Sequence, residues 1–309
     1  GKCAEDNIFA ANNRAVALAD EIGNDKVVNG TVGSILDEEG NLAVLDVVLE
    51  AYKRLTPRQI CAYAPIKGYE KFLESCIDQC FGQSRPDGYI EACATPGGTG
   101  VLHHVIHNYA VPGDEILITD WHWGAYNSLI DYPNNKVSTF EFLNEEGQFS
   151  LVSFREKVDE ILNRQKNLVI ILNGIANNPT GYSMSVSEWQ EAVDVLKAAV
   201  EGKDKNVILV PDVAYLDYSG EKEECRKFVK VFGNLPKNIL VIVAYTLSKG
   251  FTLYGQRQGA MIAVTSDKDV AKEFVDVNQY ASRATWSNCN SAAQNVMIDI
   301  CSNPEEIRR

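Results

Sequence analysis

Apolar residues recur along this chain at two alternating spacings. Continuous runs of strand length occupy 89–94, 115–119, 137–142, 168–173, 207–211, 239–245 and 259–264. Many of these runs are separated by stretches with apolar residues three and four apart, which predict helices over 100–110, 187–200 and 223–232. Earlier in the chain, Leu42, Leu45, Leu49 and Tyr52 lie at helical spacing, as do Phe72, Cys76 and Cys80. Ser187 and Gln190 have the spacing of a capping box for the helix over 187–200, and Ser219-Gly220 precedes the one over 223–232. Strands alternating with helices predict an α/β fold, a mostly parallel seven-stranded sheet with helices on both faces, because parallel neighbours need a crossover and the crossover is usually a helix. Residues 1–40 carry two glycine-bearing turns, Asn29-Gly30 and Gly33-Ser34, and no clear period. They are expected to form an arm plus a strand outside the sheet domain, which is expected to span 41–309. No internal repeat or low-complexity tract interrupts the pattern.

Composition narrows the partners. The 309 residues are 45% hydrophobic and 23% charged, an ordinary globular balance. A net charge of −13 argues against nucleic acid or an anionic membrane, both of which need a cationic face. No apolar run reaches the roughly 18 residues of a membrane span, and the first residues, Gly1-Lys2-Cys3-Ala4-Glu5-Asp6, lack the basic and apolar regions of a signal peptide. The eight cysteines are scattered without a C-x-x-C pair, so buried or free thiols in a reducing cytoplasm are expected.

The candidate chemistry lies just past the strand-like runs. Asn178-Pro179-Thr180-Gly181 follows the run over 168–173, Asp212 and Tyr215 follow 207–211, and Ser248-Lys249 follows 239–245, eight residues before Arg257. Taken singly, each has an ordinary explanation: a surface lysine, a turn, a helix-capping acid. Together they set a lysine, an acid with a phenol three residues on, and an amide at three strand ends, where open α/β sheets bind ligands. That order suits a lysine holding an aldehyde cofactor as a Schiff base. Thr95-Pro96-Gly97-Gly98-Thr99-Gly100 lies between a strand-like run and a helix, and its glycines let backbone N–H groups approach an anion such as phosphate; a plain turn explains it about as well. Trp123 either belongs to the core or stacks on a flat ring. His103 and His107 share a helical face, but no further ligand at suitable spacing completes a metal set, so no metal is expected.

These motifs carry a resemblance. The chain resembles the fold-type-I pyridoxal-phosphate aminotransferases and, within them, the aspartate and aromatic amino-acid aminotransferases. The resemblance covers 29–288 and rests on Thr95-Pro-Gly-Gly-Thr-Gly100, Asn177-Asn-Pro-Thr-Gly181, Asp212-x-Ala-Tyr215 and Ser248-Lys249-x-Phe251-x-Leu-Tyr254-x-x-Arg257. It implies the large domain of that fold and pyridoxal 5'-phosphate as cofactor. Lys249 would attach the cofactor and then move the substrate proton. Asp212 would pair with the pyridine nitrogen, and Tyr215 with Asn178 would bond the ring oxygen. Gly98, Thr99, Thr246 and Arg257 would hold the phosphate, and Trp123 would stack on the ring. Gly33 and Asn178 would line the substrate. Tyr63 and Arg283 would act across a homodimer interface, Tyr63 on the neighbouring phosphate and Arg283 on a dicarboxylate side chain.

The sequence departs from the family in two places. Tyr126 stands where many aspartate aminotransferases place a histidine against the acid. The chain also stops at Arg309, where family members continue into a C-terminal small domain with a carboxylate-binding arginine, so a fragment is expected. The resemblance implies transfer of an amino group between an L-amino acid, aspartate or aromatic, and a 2-oxo acid such as 2-oxoglutarate. A lyase or decarboxylase on the same fold, or a non-catalytic cofactor-binding domain, are the alternatives.

Overall fold

The computed structural model describes residues 7–31 and 33–308, and its contacts divide the chain into two units, 1–44 and 45–309. The N-terminal unit differs from the expected arm and strand: it holds a helix, α1 (Asn7–Ile22). Five alanines between Ala10 and Ala19 explain it, since intrinsic helix propensity needs no amphipathic period. After it, the only pairing among the described residues of this unit is an isolated bridge between Leu36 and Leu42. Gly33 lies in this unit, exposed and outside any helix or strand.

The second unit contains the sheet, with β1 (Tyr89–Thr95), β2 (Glu115–Thr119), β3 (Lys136–Phe140), β4 (Asn167–Leu172), β5 (Asn206–Pro211), β6 (Ile239–Thr246) and β7 (Gly259–Thr265) in the order β1-β7-β6-β5-β4-β2-β3. All seven match the apolar runs of the sequence. Only β7 is antiparallel, pairing with β1 on one side and β6 on the other. The helices are α2 (Asp46–Arg54), α3 (Pro57–Cys61), α4 (Glu70–Phe81), α5 (Gly97–Tyr109), α6 (Ala125–Asp131), α7 (Leu151–Arg164), α8 (Val186–Val200), α9 (Lys268–Thr285), α10 (Ser291–Cys301) and α11 (Pro304–Arg308).

The central strands bury both faces, which is why they read as continuous apolar runs rather than alternating ones. Along β6, Ile239, Val241, Val243 and Tyr245 enter one core with side chains of α2, α4, α7, α8 and α10. Leu240, Ile242 and Ala244 enter the opposite core with side chains of α5, α6 and α9. Among the described residues no helix is long and apolar enough to cross a membrane.

Three local expectations change. The helix over 187–200 starts one residue earlier, and its capping box is Ser185 with Glu188: Ser185 N–H donates to Glu188 Oε2 at 2.7 Å and Glu188 N–H donates to Ser185 Oγ at 3.3 Å. Ser187 is already inside the helix. The segment over 223–232 is not an α-helix but a turn followed by a 3-10 helix (Lys227–Phe232). Arg226 explains the tight path: its buried guanidinium bonds the carbonyls of Gln79 and Lys222 and the Asp217 carboxylate, which pins the chain at one point. The periodic set Leu42 to Tyr52 contributes a helix only from Asp46, so Leu42 lies outside it.

Candidate active site

The parallel strands end at one edge of the sheet, and so does the start of antiparallel β7. Gly97 to Thr99 follow β1, Trp123 follows β2, Asn178 follows β4, Asp212 and Tyr215 follow β5, Thr246 ends β6 with Ser248 and Lys249 behind it, and Arg257 precedes β7. Reversal of β7 is what brings Arg257 to this edge, because Gly259 pairs with Thr95 of β1 and Thr246 of β6. A Cβ on Gly259 would lie 2.4 Å from the Tyr245 carbonyl, so only glycine lets the three strands close up there.

Asp212 is buried at this edge and held at both oxygens. Tyr126 Oη donates to Oδ2 at 2.6 Å and Ala214 N–H donates to Oδ1 at 3.1 Å. Burial pushes the carboxyl above its ordinary range, while the bonds from Tyr126 and Ala214 pull it back. Among the described residues no cation pairs with it. A buried acid in this state suits a cationic partner such as a protonated ring nitrogen, which would relieve the desolvation. Tyr126, fully buried, is held well above the ordinary phenol value by desolvation and by Asp212, so it remains a neutral donor. Replacing Tyr126 by Phe is expected to lower turnover about tenfold, the scale of one hydrogen bond to a charged group, and to move the acidic edge of the pH–rate profile upward. An unchanged profile would remove Tyr126 from this role.

The Asn178 amide bonds the Tyr215 hydroxyl, and this bond opposes the upward push of burial and of Asp212 on that phenol. Lys249 is half-buried, its Nζ 5.4 Å from the Tyr215 ring centre and 5.1 Å from that of Tyr254. Desolvation, and then the nearby Arg257 charge, lower its pKa and bring the amine closer to its neutral, nucleophilic form. Tyr218 braces the segment from outside by donating to the Lys249 carbonyl at 2.9 Å.

Beside this group lies an anion cradle. Arg257 Nη1 is 3.4 Å from Ser248 Oγ, and Nη2 is 3.4 Å from Thr99 Oγ1. Thr246 Oγ1 donates to Ser248 Oγ at 2.9 Å. Helix α5 opens here, and its first N–H groups have no intrahelical acceptor. Gly97 is at φ +70°, and a Cβ there would stand 3.0 Å from Arg257 Nη2. Arg257 itself is left-handed at φ +50°, a strained backbone that aims its donor fork at the helix start. The half-buried Trp123 meets Tyr126 edge-on at 5.7 Å between centres.

Pyridoxal phosphate fits this donor set, with an amine for its aldehyde, a buried acid for its ring nitrogen, an amide and a phenol for its ring oxygen, and a guanidinium with hydroxyls and a helix start for its phosphate.

Two expected site residues stand apart from this group. Tyr63, just past α3, is 91% exposed, and Arg283 is exposed in the last turn of α9. A chain of bonds connects their neighbourhoods: Arg283 Nη1 donates to Ser287 Oγ at 2.8 Å, Ser287 Oγ to Asn288 Oδ1 at 3.1 Å, and Asn288 Nδ2 to the Ala64 carbonyl at 2.7 Å. The histidines of α5 form a stack: His103 lies on His107 at 4.1 Å, and the buried His104 lies on Trp286 at 4.0 Å, with its pKa pulled down to about 3 mainly by burial.

The sequence did not point to Ser248 as a member of the cradle, nor to Asn173 behind the site. Asn173 Nδ2 donates to the Asp212 carbonyl at 2.8 Å, and its Oδ1 accepts the Asn178 N–H at 2.7 Å. A polar residue closing an otherwise apolar run was the available signal.

Comparison with known proteins agrees with this geometry. Residues 25–309 match the family described as aminotransferase class I and II. An aminotransferase structure from Anaerococcus prevotii superposes with a TM-score of 0.96 at 36% identity, over 100% of this chain and 75% of that one. Mitochondrial aspartate aminotransferase P2 of Lupinus angustifolius is 27% identical over 288 residues, covering 91% of this chain but only 61% of its own length. Aromatic-amino-acid aminotransferase of Pseudomonas aeruginosa is 25% identical over 283 residues, 89% of this chain and 67% of its own. With the seven-stranded sheet and a match that runs from before the first strand to the last residue, the chain belongs to the class I and II aminotransferases.

Proposed function

We propose that this protein moves an amino group between an L-amino acid, aspartate or aromatic, and a 2-oxo acid such as 2-oxoglutarate, using pyridoxal 5'-phosphate held at Lys249. The observation that carries this reading is the gathering of a half-buried lysine, a buried acid, an amide–phenol pair and an anion cradle at one edge of one sheet. The relatives described above support the substrate classes.

When bound, the cofactor supplies an aldehyde for the amino group and an aromatic ring that accepts the electron pair released at the substrate Cα. Lys249 Nζ would hold the cofactor through its aldehyde and, once displaced by the substrate amine, would remove and return a proton at the substrate Cα, a task suited to an amine of lowered pKa. Asp212 would hold the positive charge at the ring nitrogen, with Tyr126 orienting the carboxylate and favouring its ionised form. Asn178 and Tyr215 would bond the ring oxygen. Gly98, Thr99, Thr246, Ser248 and Arg257 would hold the phosphate, and Trp123 would cover the ring. Residues 41–309 act as the large cofactor domain.

Tyr63 and Arg283 act in a homodimer, where Tyr63 reaches the neighbouring phosphate and Arg283 pairs in two-pronged fashion with a substrate side-chain carboxylate. Exposure of both supports this, since neither belongs to the group around Lys249 in its own chain. A reducing cytoplasm suits the seven free cysteines among the described residues.

A screen of amino donors with 2-oxoglutarate, following glutamate formation, tests the activity. Ammonia release without a 2-oxo acid acceptor would replace transfer by elimination. In the same assay, Arg283→Ala is expected to reduce turnover of dicarboxylic donors at least about tenfold more than that of aromatic donors, the scale of a charge-assisted bidentate pair. Equal losses, or an active monomer by light scattering, would overturn the shared site.

A further inference from the structure

Asn173 is the first residue beyond β4, and it is 3% exposed. Its side chain is used at both ends. Nδ2 donates to the Asp212 carbonyl at 2.8 Å, and Oδ1 accepts from the Asn178 N–H at 2.7 Å. Its own carbonyl accepts from Asn177 Nδ2 at 3.0 Å, and Asn177 Oδ1 in turn accepts from Thr180 N–H at 3.1 Å. One buried amide therefore ties the loop after β4 to the loop after β5.

Neither bond reaches a side chain that would meet the cofactor. Both go to the main chain directly behind one. The Asp212 carboxylate and the Asn178 amide address two different atoms of the same ring, so the distance between their backbones must be held within a few tenths of an ångström for both to engage. β4 and β5 pair in register up to Leu172 with Pro211, and the ladder stops there. The last main-chain bond between them runs from Asp212 N–H to the Leu172 carbonyl at 3.0 Å. Asn173 takes over as the cross-link at the point where main-chain pairing gives out.

We propose that Asn173 is a positioning residue that sets the spacing between Asp212 and the Asn178–Tyr215 pair and thereby tunes the ionisation of the bound cofactor. This rests on the pyridoxal-phosphate reading above. The alternative is that Asn173 only satisfies two buried backbone groups, in which case its loss lowers stability and nothing else.

The two arms are chemically separable. Asn173→Leu removes both. Asn173→Asp, compared at a pH where its carboxyl is ionised, keeps an acceptor for Asn178 N–H and loses the donor to the Asp212 carbonyl.

The experiment uses purified protein reconstituted with pyridoxal phosphate. It reads three quantities: cofactor dissociation by equilibrium dialysis, the pH midpoint of the visible absorbance, and the melting temperature without cofactor. Asn173→Leu is expected to weaken cofactor binding about tenfold or more, the scale of two buried hydrogen bonds, and to raise the absorbance midpoint because Asn178 and Tyr215 no longer meet the ring oxygen together. Asn173→Asp is expected to weaken binding at least about threefold with a smaller rise in the midpoint, because the Asn178 arm survives. A folded Asn173→Leu protein with a lower melting temperature but parental dissociation and midpoint would overturn the proposal. Should that variant not fold, parental binding and midpoint in Asn173→Asp would overturn it equally. A parent protein with no visible band overturns the cofactor reading and this one with it, whereas a normal parent with unchanged variants overturns this one alone.

Discussion

Replacing Lys249 by alanine is expected to leave no covalent cofactor on the protein. After borohydride reduction and proteolysis, the parent should carry a phosphopyridoxyl group on the peptide containing Lys249, and the variant on none. Among the described lysines it is the one whose Nζ lies over two tyrosine rings, with desolvation and Arg257 both disfavouring its charge. Loss of the group that moves the Cα proton should reduce amino transfer by roughly 10²–10⁴-fold, the usual contribution of a positioned acid–base group. A reducible adduct on another lysine of the variant would sink the assignment.

Replacing Asp212 by asparagine should separate binding from chemistry. The amide has the shape of the carboxylate and can accept from Ala214 N–H or Tyr126, so cofactor should remain bound. The lost negative charge is what would stabilise a protonated ring nitrogen in a site that excludes water, where such interactions are strongest. Turnover is therefore expected to fall roughly 10²–10³-fold, the scale of removing one preorganised electrostatic group. Steady-state rates at saturating cofactor measure this directly, and near-parental turnover would exclude the role.

The elements that were readable in advance are those decided by local physics. The inner strands are short apolar runs buried on both faces, and the edge strand β3 alternates exposed and buried positions, so periodicity and length sufficed from β1 to β7. The chemistry at the strand ends was readable for a related reason: strand-then-loop order places successive loops at the same edge of a parallel sheet. Where two local signals competed, the prediction slipped. Ser185 and Ser187 both offer a cap, and only Ser185 has a glutamate three residues on to complete the reciprocal pair. In 223–232, helical spacing was real, but Arg226 anchors the backbone through bonds to Gln79 and Asp217, partners distant in sequence.

The sequence by itself determined the α/β class, the strands and the identity of the groups at their ends, because burial on two faces and turn chemistry act over a few residues. Only the tertiary structure decided how those groups meet. The antiparallel turn of β7 sets Arg257 beside Thr99 and Ser248, Tyr126 closes on Asp212 across 86 positions of chain, and Asn173 bridges two loops that share no sequence motif. Such contacts follow from strand order and register, which depend on the packing of the whole sheet rather than on any one segment of it.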